Sequence, residues 1–323
     1  MKIGKVVLVL TQELDFHADM VIRELQRRGI EVIRFNTADF PLRSTLKAYY
    51  DGDLWNTLLS FQGRTVRFDA IKSILYRRPT PFEVDEHLTP VGQQFATAEA
   101  RVAIGGLLRS LDCLWVNHPE RTVTADYKPF QLHIARSCGF EIPLSLITND
   151  PKAAISFFEQ CNGEMIYKTL SGGMIMSDTG EPLSIYTSQV TADHLQEGSP
   201  IHHTACLFQA RVPKKIELRI TVIGSQVFAA EIHSQHSEST AIDWRRSYSD
   251  LLYEIHQLPE EIAEKCLLLV QRFGLVFGAI DMILTPDDRY IFLELNPNGQ
   301  WAWIEHATGL PLCATLVDLL TEE

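Results

Sequence analysis

"GAIDMILTPDDRYIFLELNPNGQW", residues 278–301, is the stretch that decides how this chain is read. Two apolar runs flank Pro286, Asp287, Asp288 and Arg289, the pattern of a β-hairpin with a four-residue loop. Thr285 then pairs with Tyr290, Leu284 with Ile291, Ile283 with Phe292, Met282 with Leu293, and Asp281 with Glu294. In this register the two carboxylates are directly opposite, with Cβ atoms roughly 5 Å apart. Alternation puts Asn296 on the face of Glu294 and turns Leu293 and Leu295 the other way. Opposed like charges repel each other. A hard cation resolves the conflict, since magnesium takes oxygen ligands from one or two carboxylates together with substrate phosphates. Asp281, Glu294 and Asn296 are therefore the candidate metal ligands. An exposed charged edge is the plain alternative, and Ile283, Leu284, Ile291 and Phe292 beside the acids fit it poorly. The acids are not spaced as in an EF-hand.

Phosphate binding needs cations as well. Lys168 ends the apolar run "MIYKTLSGG" and is followed by Gly172 and Gly173, where backbone N–H groups could approach an anion. Taken alone it could equally be an edge lysine with its stem on apolar surface. Lys128, in "DYKPFQLHIARSCG", reads by itself as a solvent-facing helix charge. No Walker A motif is present.

Upstream, "KVVLVL", "HADMVIRELQRRG" and "IEVIRFN" form a strand–helix–strand unit, with Met20, Val21 and Leu25 apolar and Gly29 as a C-cap. This begins an open α/β domain. "TLKAYY" and "TVRFD" are expected strands around a turn-rich piece, "AIKSILYRRP" is a strand ending in Arg77 and Arg78, and a helix spans about 91–111. "ELRITVIGSQVFAAEIHS" predicts a hairpin turning at Gly224–Ser225, and "EEIAEKCLLLVQRFG" a helix. Residues 170–205 mix turn formers with short apolar groups and give no clear pattern.

The formal charge of −12 disfavours sequence-independent binding to nucleic acid. The first apolar run is too short for a membrane span, so no membrane partner and a cytoplasmic protein are expected. Six scattered cysteines support neither a zinc knuckle nor a disulfide framework. "HH" at 202–203 and "H-x-x-H" at 233–236 are only weak metal signals.

With these residues in place, the sequence resembles the ATP-grasp superfamily, and more closely the microviridin-type peptide maturases, or graspetide synthetases. The resemblance runs over nearly the whole chain. It is carried by Lys128, Lys168, "LFQARVPKKIELR" at 207–219 and "DMIL…FLELNPNG" at 281–299, then by "YRRP" at 76–79, "AIDWRR" at 241–246 and "NPNGQWAWIEHATGLP" at 296–311. It implies an α/β ATP-grasp fold in three parts. An open α/β N-terminal domain (1–115) precedes central (116–205) and C-terminal (206–323) subdomains that clamp ATP between them.

The resemblance also implies roles. Lys128 and Lys168 approach phosphates, although "DYK" and "TLSGG" differ from the usual motif context. Gln209 stands where an acidic residue often reads the adenine amino group, with the backbone of Ala210, Arg211 and Val212 bracketing the ring edge. Glu217 holds the ribose, and Asp281, Glu294 and Asn296 hold Mg2+. Arg219 reaches phosphate or braces the nearby acids. Arg245 or Arg246 clamps the transferred phosphoryl group or the activated carboxylate, with Asp243 orienting the pair, and either arginine could instead be structural. Arg77 and Arg78 either hold acidic peptide groups or stabilise a strand end. Trp301 and Trp303 either shape the acceptor pocket or simply pack. A lid including residues 170–180 would exclude water.

The implied substrate is a ribosomal precursor peptide with a leader segment, whose Asp or Glu side chains are joined to Thr or Ser as ω-esters or to Lys as ω-amides. A homodimer is compatible with the family. The alternatives are a related ATP-grasp ligase that adds amino acids or joins small metabolites, and a nonenzymatic nucleotide-dependent binding protein. A Rossmann dehydrogenase is a weaker reading again, because "LTQELDFH" contains no G-x-G-x-x-G turn.

Overall fold

The computed structural model describes residues 5–196, 200–236, 240, 242–246 and 251–322. The first apolar run forms strand β1 (Val6–Leu10), buried at all five positions. Helix α1 (Phe16–Arg27) follows, buries Ala18, Val21 and Leu25 on one face and leads to β2 (Glu31–Phe35). Asp15 caps α1 by accepting the His17 and Ala18 N–H groups at 3.1 and 3.3 Å. Such a cap contributes about 1 kcal/mol. An antiparallel sheet of β3 (Ser44–Tyr50), β4 (Trp55–Phe61) and β5 (Arg64–Arg67) is inserted next. Sequence reading treats β4 as turn-rich chain. Its buried positions are Thr57, Leu59 and Phe61, and the polar Thr57 hides the alternation. Strand β6 (Ile71–Tyr76), helix α2 (Pro90–Arg109) and β7 (Leu114–Val116) complete a parallel sheet of order β2-β1-β6-β7.

The chain continues through α3 (Pro119–Ala125), α4 (Lys128–Ser137), β8 (Ser145–Thr148), α5 (Pro151–Gln160) and β9 (Met165–Lys168). The stretch that sequence leaves unclear contains β10 (Met174–Met176), β11 (Pro182–Ser184) and β12 (Ser188–Val190). Strands β10 and β11 form a separate hairpin with Met174, Ile175, Met176 and Leu183 exposed. Strand β13 (Cys206–Ala210) returns between β9 and β8 to give an antiparallel sheet of order β12-β9-β13-β8.

The third sheet has the order β16-β15-β14-β17-β18. It is built from β14 (Ile216–Ile223), β15 (Gln226–Ile232), β16 (Tyr253–Ile255), and, after α6 (Glu260–Arg272), β17 (Phe277–Leu284) and β18 (Tyr290–Asn296). The β14–β15 hairpin turns at Gly224–Ser225 as the sequence predicts. Helices α7 (Ala302–Thr308) and α8 (Leu312–Thr321) close the chain. One face of this sheet packs Leu218, Ile220, Met282 and Phe292 against α4 and α6. A second core joins Val7, Val21 and Leu25 to Trp301, Leu312 and Leu316, tying the N-terminal sheet to the end of the last hairpin. Among the described residues no helix is long and apolar enough to cross a membrane.

The β17–β18 register is as expected at Asp281↔Glu294 but slips by one beyond it: Met282 pairs with Phe292, Ile283 with Ile291 and Leu284 with Tyr290. Residues 285–289 form a five-residue connection, with Asp288 at φ 60° and the Thr285 N–H donating to the Arg289 carbonyl. The extra residue is absorbed as a bulge at Leu293. Leu293 therefore lines the same cavity as Glu294 rather than facing away, while Phe292 and Leu295 remain in the core.

Candidate active site

A cavity of about 760 Å³ lies where the central sheet meets the β14–β17–β18 face, and Asp281, Glu294 and Asn296 all line it. Several contacts fix the hairpin there. On α4, Lys128 and Gln131 share a face one turn apart. Lys128 Nζ lies 2.5 Å from Glu294 Oε2. Gln131 donates to the Leu295 carbonyl at 2.8 Å and accepts the Leu295 N–H at 3.0 Å, taking the place of a neighbouring strand on the edge strand β18. Asn117 ties the hairpin base together by donating to the Phe277 and Pro297 carbonyls and accepting the Val276 and Phe277 N–H groups. At Gly299 an added Cβ would stand 2.4 Å from that of Ala279, so the turn beyond β18 admits only glycine. Sequence reading finds neither Asn117 nor Gln131, because their partners are backbone groups far away along the chain.

Charge is tightly packed here. Burial raises the Asp281 pKa to about 6, against the nearby Arg219 guanidinium. Burial also opposes ionisation of Glu294, but Lys128 and Lys168 outweigh it and hold this carboxyl well below its usual range. Burial lowers the Lys168 pKa, with Glu294 acting in the opposite direction. Lys168 is half-buried at the end of β9, and together with Lys128 it faces the acids rather than solvent.

The donor set fits a hard divalent ion. Asp281 Oδ1 is buried without a hydrogen-bond partner, although Arg219 Nε is 3.1 Å away. The Asn296 amide nitrogen lies 3.3 Å from both Asp281 Oδ2 and Glu294 Oε1, and turning that amide over would bring its carbonyl oxygen to the same point. Two carboxylates and one amide oxygen are the ligands magnesium favours.

The candidate nucleotide residues line the same cavity. Gln209 is buried, donates to Ser145 Oγ at 2.9 Å and keeps a buried Oε1 without a partner, an acceptor suited to an amino group. Ala210, Arg211 and Val212 also line the wall, but the Ala210 and Arg211 N–H groups are already taken by the Leu144 and Glu164 carbonyls. Those two N–H groups are thus engaged within the protein, and the backbone role that the resemblance implies for Ala210, Arg211 and Val212 falls to their other backbone groups. Glu217 is buried and accepts from Lys214 at 2.9 Å and from Ser234 at 2.8 Å. Neither Gly172 nor Gly173 is among the lining residues. Gly173 instead allows close approach to Ile185, whose carbonyl would lie 2.8 Å from an added Cβ.

The arginines separate by environment. Arg219 is buried beside Asp281, with its guanidinium 5.8 Å from the Trp244 ring and 5.7 Å from that of Trp303. Arg245 lines the cavity and pairs with Asp243 through two hydrogen bonds of 2.8 and 2.7 Å. Arg246 is exposed, lies 5.5 Å over the Tyr186 ring and does not line the cavity, so Asp243 orients one arginine and not a pair. Arg77 is buried, pairs with Asp15 at 3.4 Å and donates to Asn298 at 2.8 Å, which is the strand-end role. Arg78 is exposed and lines the cavity. Trp301 is 1% exposed and packs in the core, whereas Trp303 lines the cavity and contacts Trp244.

A second cavity of about 890 Å³ adjoins the first, and Arg78, Gln300 and Trp303 line both. Its outer wall includes Leu14, Phe16 and Met20 from α1 and the loop before it. Within it His17 Nε2 accepts the Trp301 and Ala302 N–H groups at 3.1 and 3.2 Å.

Residues 6–122 match the model of the MvdD pre-ATP grasp domain. No curated protein matches the sequence. Among solved structures, the chain is similar to a Chryseobacterium gregarium RiPP-associated ATP-grasp ligase in complex with ADP and a leader and core peptide. The identity is 31% and the TM-score 0.89, covering 98% of this chain and 96% of that one. It is also similar to the macrocyclase MdnC bound with precursor peptide MdnA from Microcystis aeruginosa MRC, at 29% identity and TM-score 0.85, covering 98% and 100%. The macrocyclase MdnB from the same organism is 31% identical at TM-score 0.81, covering 99% and 100%.

Proposed function

The chain belongs to the ATP-grasp ligases that mature ribosomally made peptides, the graspetide synthetases, and from that premise we propose how its own residues close ω-ester or ω-amide rings in a precursor peptide. One observation carries the reading: Asp281 and Glu294 are paired across the hairpin inside a cavity that also receives Lys168 and Arg245, with Lys128 bonded to Glu294. The substrates are ATP and an Asp- or Glu-bearing peptide. A peptide carboxylate oxygen bonds to the γ-phosphorus as the bond to ADP breaks, giving an acyl phosphate. A Thr, Ser or Lys side chain then attacks the acyl carbon, loses its proton and expels phosphate. Such chemistry depends on position and on groups that offset developing negative charge.

Asp281, Glu294 and Asn296 would hold Mg2+, which supplies positive charge to the phosphate oxygens. Lys128 and Lys168 flank the phosphates, Gln209 receives the adenine amino group and Glu217 the ribose hydroxyls. Arg219 braces Asp281, and Arg245, held by Asp243, meets the transferred phosphoryl group. Arg78 and Trp303, at the junction of the two cavities, meet the reacting peptide side chain, with the core segment lying in the second cavity. The leader docks elsewhere. The reading keeps three segments, 1–115, 116–205 and 206–323, with strand 206–210 lent back to the central sheet. It places the reaction in the cytoplasm, consistent with ATP as substrate and with six free cysteines.

The test incubates the protein with ATP, Mg2+ and the peptide encoded beside its gene, and reads the product by mass spectrometry. The expected product is lighter by one water per bond, with fragmentation placing each closure on an Asp or Glu. Mass gain from an added amine would instead mark a small-molecule ligase, and no ADP would mark a binding protein.

A further inference from the structure

A second pair of opposed acids lies away from the nucleotide cavity. Glu231 of β15 is the register partner of Glu254 of β16. Glu231 also pairs with Leu218 of β14, whose side chain is in the core on the face away from Glu217 and Arg219. The cluster is therefore on the far side of the sheet from the nucleotide. Directly opposed carboxylates destabilise a strand pair unless positive charge lies between them.

His233, two residues after Glu231, directs its Nε2 into the gap, 3.0 Å from Glu231 Oε2 and 3.6 Å from Glu254 Oε2. The three donor atoms all lie within 4.8 Å of one another. Donors about 2.1 Å from a tetrahedral zinc are roughly 3.4 Å apart, so the observed spacing suits one ion. The other Glu231 oxygen, Oε1, is 2.7 Å from His256 Nδ1, and His256 Nε2 is 2.9 Å from the Tyr290 hydroxyl. Such outer partners orient metal-bound carboxylates and fix their rotamers.

We propose that Glu231, His233 and Glu254 form a transition-metal site of the zinc class, with His256 and Tyr290 orienting Glu231. Two carboxylates and a neutral imidazole give a formal charge of −2, which one divalent ion cancels. Imidazole among the donors selects zinc over magnesium. The ion fastens β16, a three-residue edge strand, to β15. Tyr253 of β16 contacts the Trp303 ring at 5.0 Å, so the fastening bears on one wall of the reaction cavity.

Cobalt(II) is the probe. Chelator-stripped protein is titrated with Co2+ in the presence of excess Mg2+ and ADP, which keep the nucleotide cavity occupied, and the visible absorption of tetrahedral cobalt is followed. The expected result is one equivalent bound, at least tenfold weaker binding in Glu254→Gln and in His233→Gln, unchanged far-UV circular dichroism, and displacement of cobalt by Zn2+. Absence of the absorption band, or equal affinity in both variants, overturns the proposal and leaves a hydrogen-bonded network of carboxylates and histidines.

Discussion

Lys128 Nζ lies 2.5 Å from Glu294 Oε2 across 166 residues of chain, joining the first residue of α4 to the last hairpin. The same bond helps lower the Glu294 pKa and sets Lys128 against an acid that lines the candidate phosphate site. Lys128→Met removes the positive group bonded to Glu294 and is predicted to lower turnover by about 10²-fold or more, the scale for losing one preorganised charge stabiliser. Gln131 still pins β18, but Glu294 loses the bond that favours its ionised form, so the melting temperature should fall. Initial rates of ADP release with peptide present check the first half and calorimetry the second. Undiminished turnover would remove Lys128 from the site.

Arg77 and Arg78 are adjacent in sequence yet predict different phenotypes. Arg77→Ala leaves Asp15 buried without its partner, so it should lose about 3–5 kcal/mol of stability. Arg78→Ala should keep wild-type stability and raise KM for the peptide while leaving KM for ATP near its original value. Denaturant unfolding and peptide kinetics of the two single variants separate them. Equal stability loss in both would contradict the assignment.

Arg245 and Arg246 give a similar contrast. Only Arg245 lines the cavity, locked by two bonds to Asp243. Arg245→Ala should lower turnover by about 10²-fold. Arg246→Ala should stay within about threefold of wild type, because surface groups contribute little. Single-turnover rates decide, and the reverse ranking would move the clamp to Arg246.

His17 predicts a pH dependence of stability. Burial and the nearby Arg77 lower its pKa from 6.5 to about 4, and its ring accepts two backbone N–H groups as the neutral form. The unfolded chain therefore takes up a proton at higher pH than the folded chain does. The stabilisation is fully present above 6.5 and is lost as pH falls toward 4, by about 3 kcal/mol across that window. His17→Gln keeps an acceptor but cannot titrate. The difference in unfolding free energy between wild type and this variant should therefore shrink as pH falls from 7 to 4. A constant difference would mean that His17 takes up its proton equally readily in the folded and unfolded chains.

The acidic hairpin was legible because acids stand in otherwise apolar strands, and Asp281 does meet Glu294. The bulge at Leu293 was not, because a one-residue slip changes no residue type and depends on a five-residue turn held by Thr285 and Arg289. Lys128 and Lys168 took meaning from a family pattern, since each alone reads as a surface lysine. The burial of Arg77 depends on Asp15 and on Asn298, 221 residues away, and no local pattern announces such a partner. For the same reason the sequence does not show that the Ala210 and Arg211 N–H groups are taken by the carbonyls of Leu144 and Glu164, both distant along the chain.

Crystals grown with a non-hydrolysable ATP analogue and Mn2+ in place of Mg2+ give the most direct measurement, the anomalous signal of manganese. The expected peak lies beside the triphosphate, within about 2.4 Å of a carboxylate oxygen of each of Asp281 and Glu294. A fully occupied nucleotide with manganese elsewhere, or with the two carboxylates turned from the triphosphate, would contradict it.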